Sequence, residues 1–237
     1  MTNATAERGR LPKVSAVLLN YARPYHIAPI VRSLDQHEFI DEILIWDNSD
    51  DGLDLASMSG TRADLLYFSG DENVGTLGRW YAASHARNET IYTQDDDVIV
   101  NQVPQLLERF EAHRAKIVAG LAPRHLDLEV HQKKAPWLAI GWGSIHLKSW
   151  FDCIASWIEL YGVDELLKSK FDRIYTTIFG EHDPILGDFE RLRGPDGRDS
   201  DRDSSALWKQ PDHYQKRNEA VRLALLLKQE VNSDPSR

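Results

Sequence analysis

The most informative part of the sequence is residues 90–100, which read TIYTQDDDVIV. The first five of these residues are mostly β-branched or aromatic, which is typical of a buried strand. Three adjacent carboxylates follow directly, Asp95, Asp96 and Asp97. Adjacent like charges raise the free energy unless a cation neutralises them, and hard oxygen ligands favour Mg²⁺ or Mn²⁺. The segment therefore predicts a divalent-metal site at the end of a strand. The alternative is an acidic loop that water solvates or that caps the next helix.

Short apolar runs that end in polar residues recur towards the N-terminus. They predict strands at 14–19, 42–46 and 65–68. Apolar residues at three- and four-residue spacing predict helices at 25–37 and 76–87. This alternation predicts an α/β fold with a mixed, mostly parallel sheet flanked by helices, in a single globular domain. Its ligand is expected outside the carboxyl ends of the strands.

The C-terminal part continues with a less regular pattern. We expect a strand at 116–121 and one or two strands within 137–148, with helices at 103–114, 149–161 and 216–231. The segment 194–205 reads GPDGRDSDRDSS, which has almost nothing to bury and predicts a mobile loop. Residues 1–12 and 232–237 are expected to be a flexible N-terminus and a flexible tail.

Composition excludes several classes of protein. The chain has 28 Lys and Arg against 37 Asp and Glu, a net charge of −9, so nucleic acid is not expected as the main partner. No apolar run approaches the roughly 18 residues of a membrane span, and the N-terminus lacks the apolar core of a signal peptide. The single cysteine, Cys153, forms no internal disulfide. These features predict a cytoplasmic protein.

The predicted metal is expected to carry a diphosphate, because Mg²⁺ usually completes its shell with substrate phosphates and water. The sequence contains neither a P-loop nor a G-x-G-x-x-G motif after its first strand. A P-loop kinase and a dinucleotide-binding dehydrogenase are therefore not supported. Arg79, near the start of its helix, is a candidate phosphate ligand, and a surface cation is the alternative.

Taken in order, several motifs resemble those of a known family. LLNYAR at 18–23, IWDN at 45–48, NVG at 73–75 with Arg79, and the acidic triplet resemble the nucleotide-sugar half of GT-A glycosyltransferases, and the triplet matches their D-x-D motif. WGSIH at 142–146, EHDPIL at 181–186 and ALWKQPDHYQKR at 206–217 resemble later segments of the exostosin C-terminal transferase domain. The resemblance implies a GT-A-like (Rossmann-like) fold, with a nucleotide-binding half at 13–98 and a sugar and acceptor half at 99–231.

The resemblance also implies roles for individual residues. Asp97 would coordinate Mn²⁺ or Mg²⁺, while Asp95 or Asp96 would bond the ribose or a metal-bound water. The base and ribose pocket would be lined by residues that follow the first three strands: Asn20, Arg23, Asn48 and Asn73. Arg23 precedes Pro24, so a helix-entry residue is its alternative.

Later in the chain, the resemblance implies that Asp183 is the carboxylate beside the reacting sugar, with Glu181 as the second candidate. Both were expected on a turn, where Asp183 could also cap a helix that begins at Pro184. His213 would be a metal ligand and Arg217 would neutralise the leaving diphosphate. A surface histidine is the alternative for His213.

Three functions remain open from the sequence. The first is a glycosyltransferase that uses a nucleoside-diphosphate sugar. The second is a nucleotide-sugar pyranose/furanose mutase on the same scaffold, and the third is a non-catalytic protein that binds nucleotide sugars. An intact acidic triplet favours the two enzymes over the third. The base (GDP or UDP), the sugar, the acceptor and the oligomeric state are not determined by these motifs.

Overall fold

The computed structural model of the protein describes residues 11–50, 52–122, 137–179, 181–198, 209 and 211–233. Residues 1–10, 234–237 and most of the predicted loop at 194–205 lie outside this part of the chain. The nine strands are β1 (Val14–Asn20), β2 (Ile40–Asp47), β3 (Asp64–Ser69), β4 (Thr90–Gln94), β5 (Val98–Val100), β6 (Ile117–Leu121), β7 (Ser144–Leu147), β8 (His182–Leu186) and β9 (Phe189–Arg191), counted within the described residues. The α-helices there are α1 (Pro24–Leu34), α2 (Leu77–Ser84), α3 (Val103–Ala112), α4 (Lys148–Tyr161), α5 (Glu165–Ile178) and α6 (His213–Ser233).

The main sheet has seven strands in the order β3-β2-β1-β4-β7-β6-β8. Neighbouring strands pair in parallel from β3 to β4, and β6 pairs in parallel with β8. Only β7 within this sheet runs antiparallel to its neighbours. A second, two-stranded sheet pairs β5 with β9 in antiparallel orientation. The predicted α/β class and the mixed, mostly parallel sheet are confirmed.

Helices cover both faces of the sheet because side chains alternate along each strand. In β1, Ala16 and Leu18 pack into a core with α1 and α3, whereas Val17 packs with residues of α2. A third cluster joins α2 to α4, α5 and α6 around Trp80, whose ring centroid lies 4.0 Å from that of Tyr175. No helix within the described residues is both long and apolar enough to cross a lipid bilayer.

Two parts of the sequence prediction are wrong. Residues 165–178 form a helix that was not predicted, although Leu167, Phe171 and Ile174 follow a helical period and are buried. The segment that contains Asp183 and Pro184 was expected to be a turn, but it is strand β8, which pairs with β6 at the end of the sheet. Helix α6 also continues to Ser233, into the predicted tail.

Candidate functional site

A cleft of about 320 Å³ opens at the carboxyl edge of the sheet, beside β1 and β4. The parallel register places Leu18 opposite Gln94 and Asn20 opposite Asp47, so polar residues that follow these strands meet at one edge. The cleft is lined by the loops after β1 and β4, by residues 138–141, and by parts of α2, α5 and α6. It lies where strand-helix alternation predicts a ligand.

Each carboxylate of the acidic triplet has an arginine partner from a different element. Asp95 accepts a hydrogen bond of 2.7 Å from Arg79, and Asp96 accepts one of 2.7 Å from Arg23. The guanidinium of Arg191, in β9, lies 3.5 Å from Asp97. Arg23 was predicted to line the base and ribose pocket and Arg79 to bind phosphate. In this structure both arginines bind carboxylates of the triplet, and their predicted ligand contacts stay predictions.

The Asp97 carboxylate is the most incompletely satisfied of the three. Its Oδ1 atom is buried and has no hydrogen-bond partner among the described residues. Burial, followed by the neighbouring charges of Asp95 and Asp96, raises the pKa of Asp97 to about 7. A divalent cation would supply both the missing partner and the missing positive charge, because carboxylate oxygens are its preferred ligands.

Gly141 brings backbone close to the same carboxylates. Its carbonyl accepts a hydrogen bond of 2.8 Å from the amide of Asp95. A Cβ atom at this position would collide with the Asp95 side chain. The close approach explains why a glycine stands here, and it leaves Asp95 about half exposed to the cleft, at 48%.

The three asparagines predicted to line the base pocket make hydrogen bonds to residues in or next to the loops around the cleft. Asn20 donates to Asp47 at 2.7 Å, and Asn48 donates to the carbonyl of Gly75 at 3.0 Å. Asn73 accepts a hydrogen bond of 2.7 Å from the amide of Gly75. None of the three belongs to the lining of the cleft in the described residues. Their predicted contact with a base stays a prediction.

Helix α5 reaches the cleft through an interruption at Lys170, where φ is −134° and ψ is 20°. Thr76, which follows the NVG motif, stabilises this kink through two hydrogen bonds. Its amide donates to the carbonyl of Lys168 at 2.8 Å, and its hydroxyl accepts from the amide of Phe171 at 3.1 Å. Lys170 at the kink and Asp172 just after it both line the cleft.

Asp172 is a site residue that the sequence analysis missed. It accepts hydrogen bonds from Arg79 at 3.0 Å and from the indole nitrogen of Trp80 at 3.1 Å. Burial raises its pKa, against the opposing charge of Arg79. For Arg79 itself, burial opposes the charge, but Asp172 and Asp95 outweigh burial and raise its pKa. Recognising the helical period of 165–178 would have provided the signal needed to find Asp172.

His213 and Arg217 line the same cleft from the first turns of α6. The guanidinium of Arg217 lies 4.9 Å from the centre of the Trp137 ring. The sequence prediction that brought these two residues to the triplet's cleft agrees with their position. Their roles as metal ligand and diphosphate ligand stay predictions.

Asp183 and Glu181 do not line this cleft. Asp183 lies in the first half of β8, opposite Val118, and accepts two hydrogen bonds from Arg109, at 2.6 and 3.0 Å. These hydrogen bonds lower the pKa of Asp183. The expected turn is absent because β6 and β8 pair, and this pairing carries Asp183 towards the amino ends of the strands. Its catalytic role stays a prediction that this position does not favour.

Comparisons with known proteins show similarity in fold and not in sequence. No family model matches the chain, and no curated protein sequence matches it. Residues 1–349 of TarS from S. aureus, solved with UDP, match with a TM-score of 0.58 and 14% identity over 90% of this chain and 65% of that one. The same TarS segment solved with UDP-GlcNAc matches with a TM-score of 0.58 and 14% identity, over 90% of this chain and 71% of that one.

A mannosyltransferase gives a similar match. The mannosyltransferase PcManGT from Pyrobaculum calidifontis, in complex with GDP-Man and Mn²⁺, matches with a TM-score of 0.62 and 16% identity. The match covers 90% of this chain and 65% of that one, so this chain spans just under two thirds of the length of that enzyme. At these identities the comparisons establish the GT-A-like fold. The finer resemblance to the exostosin domain is not supported by these neighbours.

Proposed function

We propose that this protein is a metal-dependent glycosyltransferase that moves a sugar from a nucleoside-diphosphate donor to an acceptor. The observation that carries the proposal is the Asp97 carboxylate, which is buried, lacks a hydrogen-bond partner at Oδ1 and lines a cleft at the carboxyl edge of the sheet. Structural neighbours with the same fold were solved with UDP, UDP-GlcNAc, or GDP-Man and Mn²⁺, which supports a nucleoside-diphosphate sugar as the ligand.

The residues present fit Mn²⁺ or Mg²⁺. Within the described residues no three His, Cys, Asp or Glu side chains are grouped to hold a metal by themselves. Mg²⁺ usually takes few protein ligands and completes its shell with phosphate and water. Asp97 would be the main ligand, with Asp95 and His213 as further candidates in the same cleft. When bound, the cation would stabilise negative charge on the departing diphosphate.

Two arginines position the carboxylates of the acidic wall, by which we mean the side of the cleft formed by Asp95, Asp96 and Asp97. Arg23 fixes Asp96 and Arg79 fixes Asp95, each at 2.7 Å, so neither carboxylate can turn freely when the cation is absent. Such charge-assisted bonds restrict side-chain rotation. Asp95 and Asp96 are therefore oriented before a ligand arrives, which reduces the entropy lost on binding.

Asp172 is the carboxylate best placed to act on the acceptor. It lines the cleft from α5, the helix that faces the triplet through Arg79. Burial raises its pKa, which increases its basicity. In the proposed reaction Asp172 accepts the proton of the acceptor hydroxyl as that oxygen bonds to the sugar and the diphosphate leaves. No described residue specifically favours the mutase or the non-catalytic protein.

Calorimetry with UDP and with GDP, each in the presence of Mn²⁺ and of EDTA, tests the proposal. Wild-type protein should bind one of them only with the metal, and Asp97→Asn should lose at least about tenfold in affinity, since it removes a charged ligand of the cation. Asp64→Asn is the matched control, because Asp64 starts β3 at the opposite end of the sheet and pairs with Arg87.

Metal-independent binding, or equal binding by Asp97→Asn, would refute the metal site. Product analysis with a panel of nucleotide sugars then separates the remaining functions. Released nucleoside diphosphate supports transfer or hydrolysis, an isomeric nucleotide sugar supports the mutase, and binding without turnover across donors and acceptors supports a non-catalytic protein.

A further inference from the structure

The side of the cleft formed by α5 and α6 carries three cations, Lys170, Arg173 and Arg217, which we call the basic wall. Lys170 is only 5% exposed, and its Nζ atom has no hydrogen-bond partner among the described residues. The Nη1 atom of Arg173 is also buried without such a partner there. A buried ammonium and a buried guanidinium are unfavourable unless an anion compensates them.

Burial and neighbouring cations disfavour the charged forms of Lys170 and Arg173. Burial lowers the pKa of Arg173 well below its usual value, and the charge of Arg217 lowers it further. Burial also lowers the pKa of Lys170, as do the charges of Lys216, Arg173 and Arg217, against the opposing charge of Asp212. The three cations therefore repel one another in a partly desolvated space, an arrangement typical of a site that binds an anion.

The nearby carboxylates are engaged with other cations. Asp172 accepts from Arg79 at 3.0 Å, and Asp212 lies 2.9 Å from Lys216. Neither forms an ion pair with Lys170 or Arg173 in the described part of the chain. The anion that would balance the basic wall is therefore expected to come from a ligand.

The cations of the basic wall are not the ones that pair with the acidic triplet. The triplet is paired with Arg79, Arg23 and Arg191, none of which belongs to the basic wall. A diphosphate bound through a cation at Asp97 would be neutralised on the acidic wall, which leaves the basic wall for a second anion.

The chemistry of the basic wall selects phosphate. Guanidinium groups present paired N–H donors that match phosphate oxygens, and a lysine adds a compact positive charge. Arg173 is also held in place, since its guanidinium carbon lies 3.2 Å from the centre of the Trp137 ring. We propose that Lys170 and Arg173, with Arg217, bind a phosphate group of the acceptor. This rests on the proposed function, because it assumes that the donor occupies the acidic wall.

The test uses inorganic phosphate as the probe and the full chain, first saturated with Mg²⁺ and the nucleoside diphosphate that binds. Calorimetry should detect phosphate binding to this loaded protein. Lys170→Met and Arg173→Met should each weaken it at least about tenfold, the effect of losing a charge-assisted hydrogen bond. Affinity for the nucleoside diphosphate should change less than about threefold in both variants.

Controls separate this effect from a loss of folding. Arg114→Met removes an exposed arginine that pairs with Glu111 outside the cleft, and it should leave phosphate binding unchanged. Because the three cations repel one another, Lys170→Met should melt at the same temperature as wild type or higher. Arg173→Lys keeps the charge but loses the paired donors, and it should bind phosphate with intermediate affinity.

Three results would overturn the proposal. The first is that phosphate does not bind the loaded wild-type protein, and the second is that both methionine variants bind phosphate as well as wild type does. Alternatively, the substitutions could abolish nucleoside diphosphate binding, which would assign the basic wall to the donor. If wild-type protein binds no nucleoside diphosphate with metal, the proposed function and this inference fail together. Nucleoside diphosphate binding without phosphate binding overturns this inference alone.

Discussion

Gly75 lies in the loop between β3 and α2 and packs against helix α5, and replacing it with alanine tests that contact directly. Its φ of +60° lies in the left-handed region that favours glycine. A Cβ atom at this position would lie 2.8 Å from the carbonyl carbon of Lys168, and closer still to its oxygen. The same carbonyl accepts the hydrogen bond from Thr76 that holds the kink of α5. Gly75→Ala should therefore strain the loop and displace the kink together.

Two contributions set the expected loss of stability. An L-residue in the left-handed conformation costs about 1 to 2 kcal/mol. Overpacking against backbone that cannot rotate away adds about 1 to 3 kcal/mol. The free energy of unfolding should therefore fall by roughly 2 to 5 kcal/mol. Gly60 offers a matched control, because its φ is +83° and a Cβ there would meet no atom within 4 Å. Gly60→Ala should show only the first contribution.

Urea denaturation of the two variants measures both effects. The difference between Gly75→Ala and Gly60→Ala isolates the collision with Lys168. Because that collision moves the kink that presents Lys170, Gly75→Ala should also weaken phosphate binding to the loaded protein, as measured by calorimetry, whereas Gly60→Ala should not. Equal destabilisation by the two substitutions, or normal binding by Gly75→Ala, would show that the loop does not position α5.

Two other predictions concern the carboxylates and a buried histidine. Asp172→Asn should lower turnover at least about 100-fold while the nucleoside diphosphate still binds, because a positioned base is lost. Asp183→Asn should change turnover less than about threefold, since Asp183 pairs with Arg109 outside the cleft. A larger loss of turnover in Asp183→Asn than in Asp172→Asn would instead support the sequence prediction that Asp183 acts beside the reacting sugar. His146 is fully buried, and burial lowers its pKa from 6.5 to about 3. Between these values the unfolded chain binds a proton that the native state does not, so stability should fall as pH falls. Between pH 7 and pH 5 this group should account for about 2 kcal/mol. Urea titrations should show that His146→Phe loses less stability over this interval than wild type. Identical losses would mean that the pKa of His146 is not lowered in the folded protein.

Much of the sheet could be predicted from local patterns. Strands β1 to β4 are short apolar runs, and the polar residues that follow them lie at the carboxyl edge because the strands are parallel. The acidic triplet was placed correctly at this edge for the same reason. Its position depends only on the end of β4 and on the topology that strand-helix alternation favours.

The partners of the triplet could not be predicted in this way. Arg191 reaches Asp97 through the pairing of β5 with β9, which joins residues about ninety positions apart in the chain. Similarly, Arg79 was expected to bind phosphate because its helix position suits an anion. In the structure two carboxylates, Asp95 and Asp172, bind this guanidinium at once, and only the packing of α2 against α5 brings Asp172 within reach.

The sequence by itself determined the α/β class, the acidic triplet and the edge of the sheet where a ligand would lie, because strand periodicity and adjacent like charges are local properties. Only the tertiary structure decided which later residues face that edge. It assigned Asp172, Lys170 and Arg173 to the cleft and Asp183 to the other end of the sheet. The physical reason is that these positions follow from the pairing of β6 with β8 and from the kink that Thr76 holds in α5, and both are contacts between residues far apart in the chain.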